Sequence, residues 1–341
     1  MKKVILLLLI VGLIISGGQN VEASQTRINS LGGLEYVVED LVTDMDNNPA
    51  QLIKANNNQI VLNDINYYSW SKEDDNRNNI SANPTVIYKI DENMVVGGKV
   101  GFNNRKEVDG DKFNTIYPNA KIAYRLNEDL SIGGAFTYQI INEEDAEGNT
   151  NDSKWYDLKA GINYNVNNKW DIDGSIFYGS YVDDDFKELR LYSRGIYNNS
   201  EFKNTVVAGR IVTNDGNYNS QMVKIGQNYK MDKSLLAYGL EVYSNSYDNG
   251  GGSRIVGQLG YEKQISNKLT LRLGDSFTIM ETDKENDTSY FSTPRLYPSI
   301  GLAYEINNKT KLDFDVSGNY YEKEHDGEKR TRVEFSVTRL F

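Results

Sequence analysis

Groups able to do covalent chemistry are almost absent from this chain of 341 residues, whereas charged groups are plentiful. There is no cysteine and a single histidine, His325, beside Asp326. Thiolate metal sites, disulfides and cysteine nucleophiles are therefore excluded, and a hydroxyl such as Ser317 has no further histidine to activate it. The run Asp44-Met45-Asp46-Asn47-Asn48 offers oxygen ligands but lacks the spaced Gly and Glu of a calcium loop. No catalytic residue, metal site or cofactor is expected, and the chain does not read as an enzyme. What remains is electrostatics. Lys121, Arg125, Lys159, Arg190, Arg194, Arg254 and Arg272, with Asp171, Asp173, Asp313 and Asp315, lie within or beside runs in which every second residue is apolar or aromatic. Sharing one surface, they can sort solutes by size and charge, or pair with one another and stiffen a wall.

The elements that put them on one surface are strands. From residue 59 onward apolar and polar residues alternate with period two, as in Ile80, Ala82, Pro84, Val86, Tyr88, Ile90 and in Trp170, Ile172, Gly174, Ile176, Tyr178. Short Asn/Asp-rich connections alternate with longer, more acidic ones. Seven of the first kind and eight of the second imply sixteen strands, with fourteen as the alternative count. The aliphatic face turned outward and the charged face inward give an all-β fold: a transmembrane antiparallel up-and-down β-barrel. Each segment is long enough to cross a bilayer as a tilted strand.

Aromatic residues support a membrane setting. Tyr88, Tyr124, Tyr164, Tyr197, Tyr229, Tyr261, Tyr304 and the terminal Phe341 each stand where a strand approaches a short turn. Aromatic rings collect at that level in membrane proteins, because the body is apolar and the tip polar. Trp170 follows a short turn, and Trp70 and Trp155 flank longer loops. At the N-terminus, Lys2 and Lys3 precede the apolar run Val4 to Ile15, and Val21-Glu22-Ala23 offers a cleavage site. Residues 1–23 are thus expected to be a cleaved secretory signal leading to the bacterial outer membrane. Expected partners are outer-membrane lipid and lipopolysaccharide, small-molecule solutes and the barrel assembly machinery, with a homo-oligomer open. A net charge of -11 argues against nucleic acid. The ending Arg332 to Phe341 places Val333, Phe335, Val337 and Phe341 on one face, and resembles the C-terminal signal that this machinery reads.

Residues 24–58 break the alternation, which leaves 59–341 for the barrel. Gly32-Gly33 permits a tight turn, Leu34 to Val42 can form a short amphipathic helix, and Asn48-Pro49 signals a turn or helix start. Arg27, Leu31, Gly32, Gly33, Asp40, Asn48, Pro49, Ala50 and Leu52 together resemble the N-terminal motif of the FadL/TodX-type and PorV-like outer-membrane proteins. The resemblance spans about 26 residues and implies that 24–58 form a hatch inside the barrel from the periplasmic side; a flexible periplasmic lead-in is the alternative. The strand count of sixteen and the polar inner face depart from those transporters, which typically have fourteen strands and apolar sites. Taken alone, a sixteen-stranded wall with charged lining predicts a porin-like channel for passive diffusion of small polar solutes. The hatch motif instead implies uptake of hydrophobic small molecules. A structural or surface-binding barrel is the remaining reading.

Overall fold

Every second side chain of a strand must face the same way, so these runs can close only into a sheet with one apolar and one polar surface. The computed structural model describes residues 24–72, 75–107, 110–182, 186–215, 218–247, 250–283, 288–290, 296–320 and 329–341. The expected signal (1–23) and His325 lie outside the described residues. The strands in chain order are β1 Gln59–Lys72, β2 Asp75–Lys89, β3 Met94–Lys106, β4 Lys112–Arg125, β5 Leu130–Glu144 and β6 Thr150–Asn167. There follow β7 Trp170–Tyr181, β8 Lys187–Ser200, β9 Lys203–Asn214, β10 Asn219–Met231, β11 Ser234–Tyr247 and β12 Gly250–Gln264. The last five are β13 Leu269–Asp283, β14 Thr288–Tyr290, β15 Ser299–Asn307, β16 Thr310–Tyr320 and β17 Lys329–Leu340.

Each strand pairs antiparallel with its sequence neighbour, and β17 returns to β1, with Leu340 opposite Gln59 and Val337 opposite Leu62. Among the described residues the three-residue β14 pairs with β13, which also pairs with β15. The barrel is therefore closed by sixteen strands, and no sheet edge is left along it.

The short turns explain the recurring Asn or Asp three residues after a tyrosine. Asp91 accepts from the backbone N–H groups of Asn93 and Met94, Asn127 from those of Asp129 and Leu130, and Asn167 from those of Lys169 and Trp170. These side chains satisfy the donors that reversing the chain leaves unpaired. The opposite ends differ from expectation. The acidic stretch 142–153, which reads as one of the longer connections, is in large part strand: Ile140 to Glu144 pairs with Thr150 to Lys154, and Lys112 bridges to Glu144 at 2.6 Å. Polar residues can continue a ladder beyond the membrane because water satisfies both of its faces there.

Outside, Ile132, Phe136, Leu158, Ile162, Ile172 and Ile176 are exposed; Ile132 faces Ile162, Phe136 faces Leu158, and Ile172 and Ile176 flank Gly174, the partner of Ile162. So large an apolar exterior is the surface of a protein solvated by lipid.

Candidate functional site

Residues 24–58 fold inside the barrel against its charged inner face. Helix α1 (Gln25–Ser30) starts where Ser24 accepts from the Arg27 N–H. Helix α2 (Leu41–Asn47) starts at Asp40, whose carboxylate accepts from Thr43 N–H and also from Ser24 N–H at 3.0 Å. One side chain thus caps a helix and fastens the start of the plug to it. A 3₁₀ helix, Pro49–Lys54, follows, with Asn48 as its cap and Pro49 in the first turn. The helix expected over Leu34 to Val42 is replaced by turns, with helix only from Leu41. Gly32, Gly33 and Tyr36 all have positive φ, which breaks helical geometry there, and the strong Asp40 cap sets the start.

Three kinds of contact hold the plug. The first is apolar. Val42, Met45, Leu52 and Ile53 pack on Val61, Ile87, Val95 and Ala123 of the wall, and Ile28, Leu31, Leu34 and Val37 on Leu235 and Ala237. The inner face is therefore apolar in patches, contrary to the uniformly polar lumen expected from alternation.

The second is close approach over paired glycines, by plug backbone at two of the pairs and by side chains at the other. Gly133 faces Gly161 across β5 and β6, Gly226 faces Gly239 across β10 and β11, and Gly260 faces Gly274 across β12 and β13. Asn48-Pro49-Ala50 lies on the first pair, Leu34 and Val37 on the second, and Leu31-Gly32 on the third. A Cβ on Gly133 would stand 2.5 Å from the carbonyl carbon of Pro49, and one on Gly260 2.7 Å from the Leu31 carbonyl oxygen. Gly32 is constrained from the plug side as well: its φ is +75°, and an added Cβ would lie 2.8 Å from the Asp275 backbone nitrogen.

The third is ionic. Arg194 is buried between Asp44 of the plug and Asp173 of β7, each at 2.7 Å. Asn48 donates to the Ile162 carbonyl at 2.7 Å and to Asp173 at 3.3 Å. Arg27 grips both oxygens of Glu262 at 3.1 Å, and Arg272 ties Glu262 to Asp313, 2.6 Å on either side. Asp46 meets Lys99 at 2.7 Å and also Lys121, while Lys159 donates to its backbone carbonyl. Enclosure opposes ionisation of Asp46, but Lys121 and Lys99 outweigh it and hold the carboxyl well below the usual range. Asp44 goes the other way. Burial pushes its carboxyl up to about 6, against the pull of Arg194 and helped by Glu39 and Asp173.

Of the charged residues singled out in the sequence, Lys121, Lys159, Asp173, Arg194, Arg272 and Asp313 belong to these plug contacts. Asp315 is buried opposite Glu334, which accepts from Asn29 of α1 at 2.6 Å. Arg190 pairs with Glu188, and Arg254 lies 5.0 Å from the Tyr243 ring centre. Asp171 accepts from Asn198 at 3.5 Å, and Arg125 is half-buried at the end of β4. Tyr88, Tyr124, Tyr164, Tyr304 and Phe341 are exposed beside the short turns, and Tyr197, Tyr229 and Tyr261 are half-buried at the same level. Trp155 departs from its expected place in a membrane belt. It lies over the Gly179 backbone inside the barrel, 5.0 Å from Tyr181.

Cavities remain on both sides of the plug. Toward the short turns there are openings of about 570 Å³, lined by Arg27, Glu262 and Lys311 among others, and about 400 Å³, beside Asp40 and Asp44. Toward the outer hairpins a cavity of about 270 Å³ lies between Asp46, Tyr117, Trp155, Phe177 and Arg190.

Sequence reasoning missed the glycine pairs, the inward apolar patches and the aromatics of this outer cavity. Glycine inside a strand often marks close backbone approach, and that signal was present in the sequence. Nothing in period two, however, tells which apolar residues face a plug.

Comparison with known proteins fits this architecture. Residues 54–195, less than half of the chain, match the family model described as "Putative MetA-pathway of phenol degradation". No curated protein matches the chain. Among solved structures it is similar to the "CymD monoaromatic hydrocarbon channel", with TM-score 0.57, 12% identity, and 95% of this chain and 99% of that one covered. It is also similar to the Pseudomonas putida toluene transporter TodX, with TM-score 0.52, 12% identity and coverage of 95% and 99%. A Pseudomonas aeruginosa FadL homologue gives TM-score 0.53 at 8% identity, with 96% and 100% covered. Identities this low establish the fold alone, an outer-membrane β-barrel of the FadL/TodX type.

Proposed function

We propose that this barrel of FadL/TodX fold sits in the bacterial outer membrane and admits small hydrophobic molecules, aromatic ones foremost, past its N-terminal plug. The observation that carries the reading is the plug itself, docked on three glycine pairs and tied to the wall by Arg27, Asp44 and Asp46. A general diffusion pore for polar solutes needs a wide aqueous path. Here the lumen is occupied at the level of α1, α2 and the 3₁₀ helix, so the expected porin reading fits less well. The names of two similar structures, a monoaromatic hydrocarbon channel and a toluene transporter, and the phenol-degradation description of the matching family favour aromatic cargo. A removable signal at residues 1–23 would deliver the chain to that membrane, and the tyrosines beside the short turns would set its depth there.

The test uses cells whose outer membrane lacks other channels for aromatic compounds. Cells producing the barrel should take up labelled toluene faster than cells without it, while their permeability to a disaccharide stays unchanged. A rise in disaccharide permeability with no gain in toluene uptake would return the account to a polar pore.

A further inference from the structure

The outer cavity is built differently from a pocket for a neutral hydrocarbon. Its walls are aromatic: Tyr117 lies across the Gly101 backbone, Trp155 stands edge-on to Tyr181, and Phe177 is buried. Asn119, Thr137 and Gln139 add neutral polar groups, and its charged lining is mainly cationic. Lys99, Lys121, Lys159 and Arg190 face it, against the carboxylates of Asp46 and Asp157. Even with Glu188, the partner of Arg190, cations outnumber carboxylates. Three lysines already share Asp46, two through its carboxylate and Lys159 through its backbone carbonyl. Lys159 Nζ and the Arg190 guanidinium both approach the Phe177 ring, at 5.7 and 4.4 Å from its centre.

Each feature narrows the ligand. A neutral hydrocarbon placed here would strip water from cationic groups and return no polar partner, which costs free energy. An anion accepted by Lys159 and the Arg190 fork gains charge-assisted hydrogen bonds. A short aliphatic acid would leave the rings uncovered, whereas a flat ring stacks or packs edge-on against them. A volume of about 270 Å³ admits one ring rather than several, since pockets for drug-sized ligands run roughly 300 to 1,000 Å³.

We infer that the cavity between the plug and the outer hairpins binds single-ring aromatic carboxylates, with the carboxylate between Lys159 and Arg190 and the ring against Phe177 and Trp155. The inference rests on the reading of the barrel as an uptake channel for small aromatic molecules, and it specifies a charged class among them. Arg190 lines the cavity and pairs with Glu188 of its own strand, whereas α2 is held by Arg194, Lys99 and Lys121, so Arg190→Gln leaves those ion pairs in place.

Isothermal titration calorimetry on the intact, detergent-solubilised barrel tests this with benzoate, its neutral counterpart benzyl alcohol, and acetate. Benzoate should bind at least about tenfold more tightly than either of the others. Its affinity should fall about tenfold in Arg190→Gln and fall with rising salt, as an ionic contact requires. Retention of the mobility shift between unboiled and boiled samples on a denaturing gel verifies that the variant barrel is folded. Benzyl alcohol binding as well as benzoate, an Arg190→Gln variant that binds benzoate normally, or no benzoate binding at all would each overturn the inference. If toluene still enters cells faster through the barrel, the uptake reading survives any of these failures. If toluene uptake is absent too, the proposed function fails with it.

Discussion

Gly133 and Gly134 are adjacent on β5 and point in opposite directions, so one substitution made at each separates plug docking from everything else the strand does. A Cβ on Gly133 would lie 2.5 Å from the Pro49 carbonyl carbon and 2.8 Å from Ala50 Cα, where ordinary contact begins near 3.4 Å. Those are backbone atoms of the plug, which cannot rotate away, so the 3₁₀ helix must retreat by about 1 Å. Overpacking of this kind costs about 1 to 3 kcal/mol, which shifts a docked-to-undocked ratio about 5- to 150-fold. At Gly134 an added Cβ finds Ile122 Cγ2 and the Lys159 carbonyl oxygen only at 3.9 Å, an ordinary contact. Gly133→Ala should raise the rate at which protease reaches residues 24–58 from the short-turn side by a factor in that range, and Gly134→Ala should leave it unchanged. Both barrels should keep their gel mobility shift, because the clash is with the plug and the ladder hydrogen bonds are untouched. Equal proteolysis in the two variants would refute the docking argument.

Other consequences follow from the ion pairs and the lipid face. Arg194→Met strands Asp44 and Asp173 as buried carboxylates, and the docked plug should lose about 3 to 5 kcal/mol. Protease access to residues 24–58 reads that loss, and an unchanged rate would show that the cluster holds nothing. The Asp44 carboxyl lies at about 6 in the folded protein, above the unfolded value of about 3.9. The folded state therefore binds this proton more tightly, and the contribution of Asp44 to plug stability should increase as pH falls through 6, complete below about 4. Asp44→Asn should flatten that part of the profile between pH 4 and 7, and an unaltered slope would assign it to other groups. Arginine at Ile132 or Ile176, both exposed on the outer face, should impair assembly into lipid by about 2 to 4 kcal/mol near the midplane. Normal yields of folded barrel from both variants would contradict the face assignment.

Much of the wall was legible in the sequence because period two is a geometric property of every strand. The count of sixteen came from turns, whose Asn and Asp side chains complete the reversal themselves and so must stand at fixed places. The plug was legible as a segment, since Arg27, Gly32-Gly33 and Asn48-Pro49-Ala50 form a recognisable run, but its docking was not. Gly133 and Gly161 adjoin only in the sheet register, and Arg194 lies 150 residues from Asp44. Lys121 and Asp173 looked like lining for a water-filled pore because alternation reports which face a residue takes, and nothing about what occupies the space it faces. Trp155 was misplaced for a related reason: it was read from its place near a strand end, whereas only an outward-facing ring reaches lipid, and Trp155 shares the inward parity of Asp157 and Lys159.

The central claim is that the barrel is closed by its own N-terminal segment. Planar-bilayer recording of the intact protein beside Arg194→Met tests this most directly. The account predicts no large steady ohmic steps from the intact barrel and frequent openings once Asp44 loses its latch. Large, steady steps from the intact protein, unchanged in the variant, would contradict it.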